Sequence, residues 1–160
     1  MTLDLESKKL LLRKIPHGIF ICAVRDGEEI NGFTASWVTQ GSFSPPLVVL
    51  AVRSEGSSHE IIKKTRKLSL NVLRSDQKDL AAVFFKPQKG LGGRFESTTY
   101  RFGELGLPIL EDSIGGVECE IVGSVEKGDH TVFVAEVKFA HLNKDAEALE
   151  LSSTGWSYGG

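Results

Sequence analysis

Apolar residues recur along the chain in short runs that end at Gly, Pro, Asn or Asp, a pattern typical of strands joined by turns. The runs predict strands at residues 18–25, 32–38, 47–53, 68–73, 117–126 and 131–142. The last two alternate apolar and polar side chains on either side of Lys127-Gly128-Asp129-His130, so they predict a hairpin with one buried face. That face is predicted to consist of Val117, Cys119, Ile121 and Val125 in the first arm and of Phe133, Ala135, Val137 and Phe139 in the second.

Two short helices interrupt the predicted sheet. The first begins near Ser57, because Ser57 and Glu60 have the spacing of a capping box ahead of an apolar pair. The second covers residues 76–85, where three apolar residues at helical spacing form one stripe. Residues 86–94 are rich in Gly and Lys and predict a mobile loop. Since strands and helices do not alternate, we expect a mainly β barrel with a few short helices.

Composition and charge narrow the function classes. The 160 residues suffice for one domain, which we expect to span 1–160 and to stand alone. The net charge is -2 and the single basic run, 63–67, is typical of a helix end, so no nucleic-acid partner is expected. No segment has the length of a membrane span or the order of a secretory signal, which predicts a cytoplasmic protein without a membrane partner.

Several common site motifs are missing. Residues 90–93 lack the third glycine and the flanking elements of a dinucleotide-binding loop, and neither a phosphate loop nor His-Glu-x-x-His occurs. Cys22 and Cys119 each lie in an apolar stretch, so we expect neither a metal site nor a framework disulfide. Cys119 is predicted to be a buried small residue.

The segment Asn31-Gly32-Phe33-Thr34-Ala35-Ser36-Trp37 has two interpretations. An Asn-Gly turn that leads into a strand explains it by hairpin geometry alone. Alternatively, Thr34 and Ser36 provide hydroxyls, and Ala35 allows close backbone approach, to a flat ligand ring with polar edges. The segment by itself does not decide between them.

A second segment, Arg53-Ser54-Glu55-Gly56-Ser57-Ser58, joins a strand end to a helix start. Its backbone amides, its serine hydroxyls and Arg53 would form a cradle for a terminal phosphate. Simple capping by Ser57 beside a surface arginine explains the same residues, and the two interpretations are compatible.

Short sequences in a fixed order extend over residues 12–158. They are Pro16-His17-Gly18, residues 31–36, Ser42 with Pro45-Pro46, Asn71-Val72-Leu73, Phe95, Pro108, Glu118-Cys119 and Gly128-Asp129-His130. In this order they resemble the flavin reductase-like FMN-binding split-barrel family. Residues 35–38, 84–87 and 154–158 are most similar to the flavin reductase domain of flavodiiron proteins from phototrophs.

The resemblance implies a Greek-key-like split β-barrel and an FMN-binding homodimer. It also implies hydride transfer from NADH or NADPH to flavin and onward electron transfer to an acceptor, which includes a protein as a candidate partner. Thr34, Ala35, Ser36 and Trp37 would contact the ring and ribityl side, and Arg53, Ser54, Ser57 and Ser58 the phosphate. The alternative is a non-enzymatic FMN module that receives electrons from a protein partner. An oxidase of a small amine phosphate ranks third, because it would need more basic residues around its substrate.

His130 has a structural and a functional interpretation. After Gly-Asp, its imidazole would complete a hairpin turn by bonding neighbouring backbone. The resemblance instead places it beside flavin and nicotinamide, where a donor steadies the charge of reduced flavin, and so predicts a catalytic role. His141 is expected to be structural, and His17 and His59 are not assigned.

Overall fold

The protein consists mainly of antiparallel strands with three short helices, and the structure, a computed structural model, describes residues 1–160. The strands are β1 (Phe20–Asp26), β2 (Glu29–Ala35), β3 (Val38–Ser42), β4 (Leu47–Arg53), β5 (Lys67–Val72), β6 (Gln88–Lys89), β7 (Tyr100–Phe102), β8 (Pro108–Leu110), β9 (Gly115–Val125) and β10 (His130–Leu142). The helices are α1 (Leu5–Leu12), α2 (Ser57–Thr65) and α3 (Lys78–Val83), and a 3-10 turn covers Leu151–Ser153. No helix has both the length and the apolarity needed to cross a membrane.

Eight strands form one sheet in the order β3-β4-β10-β9-β5-β1-β2-β6, and β7 pairs with β8 apart from it. Every pair is antiparallel, which confirms the mainly β prediction. β1 is buried on both faces: Cys22 and Val24 belong to one apolar cluster, whereas Ile21 and Ala23 belong to another. Because successive side chains of a strand point to opposite faces, the sheet separates two cores. α2 packs into the first core, and α3 into the second.

The predicted Asn-Gly turn at Asn31-Gly32 is wrong. Both residues lie inside β2, where Asn31 pairs with Val24, and the hairpin turn falls at Gly27-Glu28. Gly32 is required there for packing, because a Cβ at this position would lie 2.9 Å from the Phe84 ring. The strand predicted over 32–38 also breaks at residues 36–37, between β2 and β3.

The predicted capping box at Ser57 is also wrong. Gly56 occupies the N-cap position of α2 and provides no side-chain cap. The Ser57 hydroxyl accepts a hydrogen bond from Asn31 Nδ2 at 2.9 Å instead. Gly56 has φ +103, a conformation that side-chain-bearing residues avoid, so the entry to α2 depends on glycine.

The β9–β10 hairpin is present, but two register shifts change its faces. A shift between Val134 and Ala135 leaves an extra residue in β9, and Val125 is 53% exposed rather than buried. A second shift, between Val137 and Phe139, turns Phe139 outward in the same way. The predicted alternation therefore holds only in the middle of the hairpin, because each inserted residue reverses the faces beyond it.

The remaining differences concern short elements. The helix predicted over 76–85 is present as the shorter α3. The region 86–94 is not only a loop, since β6 pairs with β2 and Gly90 is buried against Tyr100. The sequence patterns did not predict α1, β7 or β8.

Candidate functional site

A cavity with a volume of about 660 Å³ lies where several separate segments meet. Its walls come from the end of β2 and the link to β3 (33–37), the end of β4 (51–53) and the start of α2 (55–59). Phe85 and Pro87 after α3, His130 at the start of β10, and residues 156–158 complete it. Apolar walls with a few polar groups at one end are typical of small-molecule sites.

Most of the predicted site residues meet in this cavity. Its lining includes Thr34, Ala35, Ser36, Trp37, Arg53, Ser57, Ser58 and His130. Ser54 is the exception: it does not line the cavity, and its backbone amide donates to the Asp129 carbonyl at 3.0 Å. Arg53 and His130 are neighbours because they face each other in the register of β4 and β10.

The start of α2 provides the anion-binding part of the cavity. Ser58 is only 8% exposed, and its buried hydroxyl has no hydrogen-bond partner in the protein. A buried hydroxyl without a partner lowers the stability of the fold unless a ligand forms a hydrogen bond with it. Arg53 and the start of α2, which has no side-chain cap, belong to the same lining, and these donors suit a phosphate attached to a flat ring.

The Thr34 hydroxyl already donates its proton to another group of the protein. Its hydroxyl donates to the Ala81 carbonyl at 2.6 Å, and its amide donates to the Phe84 carbonyl at 3.0 Å. Both bonds attach the end of β2 to α3. The Thr34 oxygen therefore has only acceptor capacity left for a ligand.

His130 lies in a nearly enclosed position at the side of the cavity, with its side chain 11% exposed. Its Nδ1 lies 2.8 Å from Asp129 Oδ1, and its Nε2 lies 2.7 Å from the Tyr158 hydroxyl. The imidazole also packs against Trp37, with ring centroids 4.5 Å apart. The hydrogen bond from His130 lowers the pKa of Asp129, because it stabilises the carboxylate.

The C-terminal segment forms a wall that our site prediction did not include. Trp156 packs edge-on against Phe85 with centroids 4.7 Å apart, and Tyr158 packs against Trp37 at 4.9 Å. The available signal was the two aromatic residues within an otherwise Gly- and Ser-rich terminus. Aromatic residues in such a segment need a surface to cover.

His59 belongs to the cavity lining, whereas His141 and Cys119 lie outside it. His59 is buried in the cavity lining, and its Nε2 lies 2.8 Å from Thr131 Oγ1. His141 lies outside the lining and bonds the buried Glu118 at 2.8 Å, which confirms its predicted structural role. Cys119 is fully buried as predicted, and burial raises the pKa of its thiol to about 12.

Comparison with known proteins bears on the chemistry of this site. A family model described as the flavin reductase like domain matches residues 12–155. An NADH-dependent FAD reductase from Streptomyces globisporus is 32% identical over 124 residues, covering 76% of this chain and 68% of that protein. The diflavin flavoprotein A 1 of Synechocystis sp. is 29% identical over 149 residues, covering 92% of this chain. The chain spans only 26% of the length of that diflavin flavoprotein.

Two kinds of solved structure share the architecture. The NADH:FAD oxidoreductase of Streptomyces globisporus C-1027 superposes with a TM-score of 0.81 and 26% identity, covering 99% of this chain and 90% of that one. An FMN-binding protein from Thermus thermophilus gives a TM-score of 0.71 and 26% identity, covering 81% and 72%. These likenesses confirm the predicted split barrel.

Proposed function

The chain belongs to the flavin reductase like domain family, and from this membership we propose that it binds FMN and reduces it with NADH or NADPH. Reduced flavin would then pass its electrons to an acceptor. The observation that carries the proposal is the cavity, which joins apolar walls for a ring to an unsatisfied anion cradle at the start of α2. His130 lies in the lining of the same cavity.

The protein's contribution would be binding and orientation. Arg53 and the hydroxyls of Ser57 and Ser58 would hold the phosphate, and residues 34–37 would border the ring. Bound FMN supplies the hydride and electron chemistry. Thr34, whose proton is committed to Ala81, would accept a hydrogen bond from an N–H group of the ring.

His130 would act on charge rather than as a nucleophile. Asp129 holds its Nδ1, which fixes the orientation of the imidazole at the cavity wall. The fixed dipole of an imidazole held in this way would stabilise negative charge that develops in a partly dry site. Trp37 packs against the His130 imidazole and shields one side of it from water.

We also propose FMN rather than FAD. The donors converge on a single cradle at the start of α2, and no second glycine-rich loop provides for a pyrophosphate and an adenosine. Separation of the cofactor released from purified protein tests this choice. A dominant FMN peak is expected, and a dominant FAD peak would overturn it.

The test of the proposed activity has two steps. An absorption spectrum of fresh protein before and after denaturation should show flavin bands that are released on unfolding, or that appear after FMN is added. Oxidation of NADH and of NADPH is then followed at 340 nm with added FMN. Turnover with either nucleotide supports the reductase, and flavin binding without turnover contradicts it.

Similarity to diflavin flavoproteins favours one alternative. In those longer proteins the matched segment is about a quarter of the chain, so other segments could exchange electrons with it. The alternative is an FMN module that receives electrons from a protein partner and not from NAD(P)H. Reduction of bound flavin by a protein reductase, with no reduction by either nucleotide, would establish it.

The assembly and location that we propose follow from the same function. A second copy would shelter a flavin site that is open on one side, so we propose a homodimer. Because the proposed donor is NADH or NADPH, which the cytoplasm supplies, we propose that the protein acts there. Fractionation of cells that produce the protein would test the location.

A further inference from the structure

The Tyr158 hydroxyl is the point where the polar groups of the cavity wall meet. It lies 2.7 Å from His130 Nε2. It also lies near the Arg53 side chain, and this proximity raises the pKa of Arg53 by favouring the charged guanidinium. Tyr158 therefore contacts the predicted catalytic residue and lies beside the predicted phosphate ligand.

The hydrogen bonds of this group have one consistent assignment. The ionised Asp129 carboxylate only accepts, so Nδ1 of His130 carries the proton of that bond. In the neutral ring Nε2 then accepts, and the Tyr158 hydroxyl must donate to it. The bond to Asp129 thereby fixes the direction of the bond to Tyr158.

The backbone around Tyr158 is held at two points. Its carbonyl accepts from the Trp37 indole N–H at 3.3 Å, and the Gly159 carbonyl accepts from Arg13 Nε at 3.0 Å. The Tyr158 ring packs against Trp37, which itself packs against His130. The phenol is thus positioned by contacts that do not involve its hydroxyl.

We propose that Tyr158 is a positioning residue, whose hydroxyl selects the tautomer and orientation of the His130 imidazole in the cavity wall. Asp129 alone holds the ring weakly, since its side chain is 98% exposed and water competes for it. The Tyr158 bond supplies the second, more sheltered attachment. That this orientation serves flavin reduction rests on the proposed function, whereas the orientation itself does not.

The first test measures the imidazole directly. In ¹⁵N spectra at pH 8, with the His130 signals identified by their loss in His130→Gln, the wild-type ring should show two well-separated nitrogen shifts, as expected for one tautomer. Tyr158→Phe keeps the aromatic packing and removes the hydroxyl. We expect the two shifts to move toward each other, because both tautomers become populated.

A matched control is available in the other tyrosine. The Tyr100 hydroxyl is buried without a hydrogen-bond partner and lies outside the cavity lining. Tyr100→Phe should leave the His130 shifts unchanged. Unchanged shifts in Tyr158→Phe as well would overturn the proposal and leave Tyr158 as an apolar cover for Trp37.

The second test asks whether the two residues act together. Tyr158→Phe should lower kcat for flavin reduction by about tenfold, the effect of losing one hydrogen bond, with little change in the dissociation constant of FMN. In a His130→Ala background the same substitution should have no further effect. Equal effects in both backgrounds would contradict positioning through His130. If the shifts change as expected but the wild type reduces no flavin, the positioning role stands and the proposed function fails.

Discussion

At the scale of single residues, His130 is the side chain whose removal should separate chemistry from fold. His130→Ala should lower the rate of NAD(P)H-dependent flavin reduction on the order of a hundredfold, because a fixed dipole that stabilises developing negative charge is lost. The unfolding free energy should fall by about 1 kcal/mol, since the imidazole packs against Trp37 but belongs to neither apolar core. Single-turnover kinetics and urea unfolding measure the two effects. Early unfolding with a normal rate in the folded fraction would make His130 a turn residue.

Arg53 should contribute to affinity and not to stability. Its guanidinium lines the cavity but is exposed, so water screens its charge, and Arg53→Ala should weaken FMN binding severalfold without abolishing it. Titration of protein fluorescence with FMN measures the change. Arg101→Ala, at an exposed arginine outside the cavity, is the control and should bind as the wild type does. Equal affinities for all three proteins would mean that Arg53 is only a surface charge.

The two thiols predict a loss of stability at high pH. Burial raises the pKa of Cys119 to about 12 and that of Cys22 further, whereas unfolded thiols ionise near pH 8.5. Above that pH the folded state binds more protons than the unfolded state, so stability falls as pH rises, by about 1.4 kcal/mol per pH unit for each thiol. Urea unfolding between pH 8 and 10.5 should therefore decline less steeply in Cys119→Ala than in the wild type. Parallel curves would contradict this.

Local sequence signals and the family resemblance together placed most candidate residues in one cavity lining, and their role as ligand contacts stays a prediction. Thr34, Ala35 and Ser36 were selected because two hydroxyls and a small residue follow Asn-Gly. Ser58 was selected because serines follow the end of a strand, and Trp37 from the resemblance. Tyr158 was missed for a physical reason. Its importance comes from a hydrogen bond to His130, which lies 28 positions away in the chain, and no local spacing records such a contact.

At the scale of elements, the sequence pattern predicted where the strands lie better than it predicted which of their side chains are buried or where each strand ends. Alternation identified the β9–β10 hairpin, but the register shifts that turn Val125 and Phe139 outward leave no trace in an apolar pattern. The Asn-Gly pair was taken as a turn because that is its commonest local use. Here, close packing of Phe84 on Gly32 determines the residue choice instead.

The buried carboxylate of Glu118 should contribute strongly to stability, because it attaches the link between β7 and β8 to β9. Glu118 of β9 is fully buried, and its Oε1 accepts from the amides of Leu105 and Leu107 at 2.9 and 3.2 Å. Glu118→Ala should cost about 3 kcal/mol or more, because it leaves both amides and His141 without a partner. Glu118→Gln, which keeps an acceptor, should cost less.

Urea unfolding of these variants provides the comparison, with Glu120→Ala as the control. Glu120 is the next charged residue of β9 and is half-buried rather than buried. Glu120→Ala should change the unfolding free energy by less than about 1 kcal/mol. Similar losses of unfolding free energy in Glu118→Ala and Glu120→Ala would show that the hydrogen bonds of Glu118 do not stabilise the link between β7 and β8.

At the scale of the whole molecule, the cavity joins segments that lie far apart in the chain. The end of β2, the start of α2, His130 and the C-terminal segment come together only when the sheet has formed. Strand patterns therefore located the pieces, and the family resemblance supplied the arrangement that joins them. The membership confirmed by the comparisons covers nearly the same residues as the resemblance.

The last prediction concerns assembly. Val125 and Val132 face each other across β9 and β10 and are 53% and 37% exposed, an apolar pair that water contacts in a single chain. Burying such a surface against a second copy would remove it from water. Light scattering at micromolar concentration should therefore give twice the 17.5 kDa of one chain. Val132→Glu should shift the mass toward one chain, because a charge would be buried without a partner.

Two further measurements make the assembly prediction specific. Leu142→Glu changes a β10 residue that is 73% exposed at the far end of the strand, and it should leave the mass unchanged if the contact is centred on the valine pair. If a second copy shelters the site as proposed, the monomeric variant should also retain less FMN after gel filtration than the dimer. A wild-type mass of 17.5 kDa would remove the dimer altogether. A dimer that survives Val132→Glu would place the interface on another face of the barrel.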